Sequence, residues 1–93
     1  MKFGKFEELF KFAILDAGWS IRKLQSKTNL NYLARFLGRK KKREPFLFLS
    51  KLAKAIKFDF QKLLKMYEKP DEISDEEYTE LVEALENLRK GGC

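Results

Sequence analysis

The sequence predicts an all-α fold. Apolar residues recur at spacings of three and four along nearly the whole chain, and the breaks between these runs carry glycine, asparagine or proline, the residues that end helices. At 93 residues the chain is long enough to bury one core but too short for two.

Each element has its own signature. Phe6, Leu9, Phe10, Ala13, Ile14 and Ala17 form the apolar face of a first helix, with Gly18 suited to stop it. Phe3 and Phe12 lie off that stripe, which predicts packing on a second side as well. Ser20 is a cap candidate for a two-turn second helix whose Ile21, Leu24 and Thr28 face inward. The stretch "TNLNY", residues 28 to 32, reads as a turn, because Thr and Asn bond to nearby backbone and Asn tolerates the left-handed conformation. A third helix is expected over 31 to 37, burying Leu33 with Phe36 or Leu37 and ending at Gly38.

Five consecutive cations, Arg39 to Arg43, follow in a predicted loop before Pro45, a suitable early residue of a fourth helix. There Phe46, Leu49, Leu52, Ala53 and Ile56 supply the buried face and leave Lys51, Lys54 and Lys57 outside. Asp59 caps a fifth helix bearing Phe60, Leu63, Leu64 and Tyr67, closed by Pro70. The main domain is thus expected over 1–69, with a linker at 70–74, a further helix over 75–90 and a tail at 91–93. "SDEEYTELVEALENLRK" carries a Ser74 to Glu77 capping box, acids in its first turn and bases in its last, in agreement with the helix dipole. Its stripe of Tyr78, Leu81, Val82, Leu85 and Leu88 either folds back onto its own domain or forms a dimer contact.

Charge narrows the function. Lys and Arg number 20 against 14 Asp and Glu, a net of +6. Residues 1–69 hold 18 basic and 6 acidic side chains, while residues 70–93 hold 2 basic and 8 acidic. A concentrated positive field attracts polyanions, so nucleic acid is the first partner to consider and anionic lipid the second. The basic run lacks an exposed basic amphipathic helix beside it, which argues against a membrane surface. Histidine is absent and Cys93 is the only cysteine, which supplies neither an internal disulfide nor a zinc site and suits a cytoplasmic, nucleoid-associated protein. No metal, cofactor or small-molecule substrate is indicated. Without histidine or a glycine-rich phosphate loop, enzyme chemistry is not expected.

The words "GWS" at 18–20, "IRKLQSKT" at 21–28, "YLARFLG" at 32–38 and "FLFLSKLAKAIKFDFQKLLK" at 46–65 together resemble the lambda-repressor-like, or Cro/XRE, family of helix-turn-helix domains. The most specific phrase is "LSKLAKAIKFDFQKLL". The resemblance implies a compact five-helix DNA-binding domain at 1–69 that acts as a transcription regulator on double-stranded DNA, as a homodimer with two third helices about 34 Å apart. It also implies that the second helix points its N-terminus at a phosphate, the third lies in the major groove and the next loop grips the backbone. The implied phosphate contacts are Ser20, Arg22, Lys23, Arg39, Lys40, Lys41, Lys42 and Arg43. The base-contact candidates are Asn29, Asn31, Tyr32 and Arg35, since amides pair with adenine and Arg with guanine.

The chain departs from the family in two places. The stretch between "KT" and "YL" is shorter, at the start of the recognition helix. An Arg–Glu pair common in the family is replaced here by Ile14 and Leu37, which should touch, because exchanging both partners of an ion pair for apolar groups strands no charge. The alternatives are a non-specific RNA or nucleoid binder that stacks bases on Trp19 or Tyr32, and a protein adaptor that works through the acidic C-terminal helix.

Overall fold

The computed structural model describes residues 3–38 and 45–91. Among these residues six α-helices follow one another: α1 (Phe6–Asp16), α2 (Ile21–Thr28), α3 (Leu33–Gly38), α4 (Pro45–Ile56), α5 (Phe60–Glu68) and α6 (Asp75–Lys90). A single 3-10 turn, Pro70–Glu72, separates the last two. No strand occurs among the described residues. The basic run 39–43 and Cys93 lie outside them.

One core cluster gathers the apolar faces of all six helices. The first-helix stripe is fully inside, from Phe6 through Ala17. Ile14 and Leu37 are both buried in this cluster, and α1 packs on α3. An aromatic chain reinforces the same region: Phe6 lies edge-on to Phe36 and Tyr67, and Phe36 stacks on Phe48 at 4.3 Å between ring centroids. Offset and edge-on rings align the negative face of one with the positive edge of another.

The helix ends follow from local chemistry. Gly18 takes φ +83°, and the N–H of Trp19 reaches back to the carbonyl of Ile14 at 2.9 Å. This left-handed reversal satisfies carbonyls that the helix end leaves open. The end of α4 does the same with Lys57 at φ +56° and Phe58 bonded to Ala53 at 2.9 Å, in a position where a side chain costs more than glycine. Asp59 caps α5 by accepting from Gln61 and Lys62, and Ser74 with Glu77 closes the reciprocal capping box of α6.

Three expectations need correction, in whole or in part. Phe46 does not join the buried face of α4; it is 52% exposed and lies edge-on to Tyr67, while Phe48 is the ring that enters the core at that end. Of the two rings off the stripe of α1, Phe3 packs on the core and stacks on Tyr78, whereas Phe12 stays 55% exposed beside Phe3. The third helix begins at Leu33 rather than residue 31. Leu33 closes a short turn onto Leu30, and the first helical acceptor is the Tyr32 carbonyl, bonded by Phe36 at 2.7 Å.

The segment expected as a linker carries Ile73, which is buried. The stripe of α6 then folds back: Tyr78, Leu81 and Leu85 are buried, with Val82 and Leu88 packed at the margin, against α1 and α4. Polar contacts pin this arrangement. The Trp19 indole N–H donates to the Leu85 carbonyl at 2.8 Å, the Tyr78 hydroxyl donates to the Asp16 carboxylate, and Arg89 reaches the Ala17 carbonyl at 3.5 Å. Burial, and then the bond to Asp16, push the Tyr78 hydroxyl well above the ordinary tyrosine range. The end of α1 and the turn after it therefore lean on the C-terminal helix.

Candidate nucleic-acid interface

The candidate surface is built by α2, the turn after it, and α3. Ser20, extended at φ −104°, accepts a hydrogen bond from the Lys23 backbone N–H at 3.2 Å and so starts α2. The neighbours Arg22 and Lys23 are exposed, because Leu24 is the residue that α2 buries in the core.

Chain reversal after α2 rests on Asn29. Its φ of +57° is the left-handed conformation that asparagine tolerates, and its N–H bonds to Ser26 at 3.4 Å. The Thr28 hydroxyl donates to the Leu24 carbonyl at 2.7 Å, which satisfies a group at the end of α2. The backbone of Asn29 thus forms the turn while its side chain stays exposed.

In α3, Leu33, Phe36 and Leu37 are buried. Positions three and four apart share a helix face, so burying this set turns Ala34, Arg35 and Gly38 outward. Asn31 is exposed just ahead of the helix, and Tyr32 is 64% exposed. The four base-contact candidates are therefore all accessible, on one turn and the six-residue helix that follows it.

Sequence reasoning missed the group that ties the two helices together. The Gln25 side-chain oxygen accepts from the Ala34 N–H at 3.0 Å, so α2 supplies a partner for one of the open donors at the start of α3. Glutamine in the middle of a short amphipathic helix carries no signal of this role; only the packing of α2 on α3 reveals it.

Electrostatics divides the surface. Lys62 pairs with Glu80 at 2.6 Å, Lys65 with Glu77 at 3.2 Å and Lys69 with Glu72 at 3.7 Å, all around α5 and the segment after it. The hydrogen bond from Lys62 to Glu80, then their charge attraction, raises the Lys62 ammonium above its ordinary value. The Glu77 carboxyl lies below its usual range, chiefly because it accepts the Ser74 backbone N–H, and Lys65 adds to the effect. By contrast, Arg22, Lys23, Arg35, Lys51 and Lys54 make no salt bridge among the described residues. Lys51 and Lys54 lie on the outward side of α4, which packs against α2.

The phosphate candidates thus divide as well. Ser20, Arg22 and Lys23 are together at the start of α2, whereas Arg39, Lys40, Lys41, Lys42 and Arg43 fall outside the described residues. Tyr78, Leu81, Val82, Leu85 and Leu88 belong to the core and its margin. Among the described residues no helix is long and apolar enough to cross a membrane, and no group of acidic or cysteine side chains is placed to hold a metal ion.

Comparison with known proteins found no matching family model, no matching curated protein and no matching solved structure.

Proposed function

We propose that this protein is a sequence-specific binder of double-stranded DNA that regulates transcription, with α3 in the major groove and the cations at the start of α2 and in the 39–43 segment on phosphates. One observation carries the reading: Arg22 and Lys23 of α2, Arg35 of α3 and Lys51 and Lys54 of α4 make no salt bridge among the described residues, while Lys62 and Lys65 of α5 are paired. Unpaired cations around an exposed short helix suit a polyanion, because phosphate contacts release condensed counterions from the duplex. The amide of Asn31 and the guanidinium of Arg35 have the donor patterns that base edges accept. The lambda-repressor-like resemblance places the same helix on the same groove.

Selection of binding sites from a random duplex pool at near-physiological salt tests this directly. An enriched palindrome establishes base specificity and two-fold symmetry together. Contact with about five or six phosphates also predicts that log affinity falls against log salt with a slope near −5. Salt-independent binding would count against the proposal.

A second reading has its own observation. The α3 helix has only six residues, and Asn29 is committed to the turn by its backbone. With so little helix available for base edges, the same field would serve a binder with little sequence preference. A pool that returns no motif, with affinity unchanged between random duplexes, favours that reading.

A further inference from the structure

We propose that α6 is an electrostatic shield: Glu77 and Glu80 neutralise the lysines of α5, confine the duplex to the α2–α4 side, and so determine specificity without touching DNA. This inference rests on the DNA-binding reading above. It replaces the simplest idea about an acidic tail, in which the tail lies over the binding surface and blocks it. Two carboxylates of α6 instead face α5: Glu80 holds Lys62 at 2.6 Å and Glu77 holds Lys65 at 3.2 Å.

The physical argument begins with non-specific binding. A cationic protein meets a duplex through any face that offers a positive field, and every such face adds sequence-independent affinity. Residues 57–93 contain 6 basic side chains and 10 acidic ones, whereas residues 17–56 contain 11 basic and 1 acidic. If Lys57, Lys62, Lys65 and Lys69 stood alone, they would make a second positive side, and a duplex held there would leave α3 unused. Specificity is a difference of affinities, and weakening the wrong mode raises it as surely as strengthening the right one.

The shield is held in place by the core rather than by its own charges. Exposed ion pairs of this kind contribute little to stability, while Tyr78, Leu81 and Leu85 are buried. The charges of Glu77 and Glu80 are therefore available for a task other than folding. Glutamine at 77 keeps the capping box, since Gln serves at that position as Glu does.

The test compares E77Q/E80Q with E8Q/E86Q, which changes net charge equally but removes carboxylates that make no salt bridge among the described residues. Random-duplex affinity of the intact protein should rise on the order of tenfold for E77Q/E80Q, and its salt slope should steepen by about 1.8, at ~0.9 per recruited phosphate contact. Affinity for the selected site should change far less, so discrimination falls. Adding K62Q/K65Q to E77Q/E80Q should return random-duplex binding to the starting level. Equal effects of the two double variants, or no effect of either, would overturn the shield while leaving the DNA-binding reading intact. Absence of any duplex binding by the unaltered protein would instead remove that reading and this inference with it. Trp19 fluorescence, which reports α6 docking through the bond to Leu85, confirms that each variant is folded.

Discussion

Residues 17–56 and 57–91 are built alike and charged unlike. Both are short amphipathic helices, and both send their apolar faces into one cluster: Leu24, Leu33 and Leu52 from the first region, Leu63, Leu81 and Leu85 from the second. Their surfaces diverge because the second region brings carboxylates to Lys62 and Lys65, whereas Arg22, Lys23, Arg35, Lys51 and Lys54 of the first meet none among the described residues. The comparison teaches that a common core places few demands on the charge of the surface above it, so two regions of one small protein can carry charge of opposite sign.

The strongest way to break this comparison is to remove the core that the regions share. Leu81→Ala should cost about 2–5 kcal/mol, since Leu81 has no exposed surface and its loss leaves a cavity. Urea unfolding followed by Trp19 fluorescence measures it. A cost below that of an exposed leucine would mean that α6 is an appendage rather than part of the core.

Next in size is the field of the first region alone. The triple variant R22Q/K23Q/R35Q should bind duplex DNA with a salt slope shallower by about 1.8, at ~0.9 for each phosphate contact of Arg22 and Lys23, while its unfolding midpoint stays close to the original. Fluorescence anisotropy over a salt series reads the slope. Unchanged binding would move the interface away from α2 and α3.

Gln25→Ala sharpens the comparison within the first region. It leaves the Ala34 N–H without its partner at the start of α3, which should cost about 0.5–1.5 kcal/mol of stability. Because the same bond sets α3 against α2, affinity for a selected site should fall more than affinity for random duplex. A parallel fall in both would reduce Gln25 to a stabilising role.

The smallest effect belongs to the second region and appears at high pH. Tyr78 is raised by burial and by its bond to Asp16. A folded value above the unfolded one, for a group neutral when protonated, means that stability is fully present below the unfolded tyrosine range and is lost as pH rises through and beyond it. Tyr78→Phe should flatten that alkaline decline in a melting series, although it also forfeits the bond to Asp16. An alkaline decline of the same depth in Tyr78→Phe would assign the titration to another group.

Much of the fold was legible before any coordinates. The stripe from Phe6 to Ala17, the Ser20 and Asp59 caps, the capping box at Ser74 and the left-handed Asn29 are each written in residues within a few positions of one another. Phe46 was misread because helical spacing marks a face without saying how far along the helix the core extends. Gln25 was invisible because its partner is nine residues away on another helix. The candidate site was legible as exposed polar residues around 29–35 and as cations at 22 and 23, but the distinction between paired and unpaired lysines was not.

By itself, then, the sequence determined roughly where helices begin and end, most of the apolar face of each, and that the chain is a cation with an acidic end. Those properties are set by backbone propensity, capping and local periodicity, all of which act over one or two turns. Tertiary structure alone decided that the α6 stripe closes its own core, that Lys62 and Lys65 meet Glu80 and Glu77, and that Arg22, Lys23 and Arg35 meet no acid among the described residues. Charge pairing between helices depends on how they are docked, and docking is chosen by the burial of apolar faces, to which the charges on the far sides contribute almost nothing.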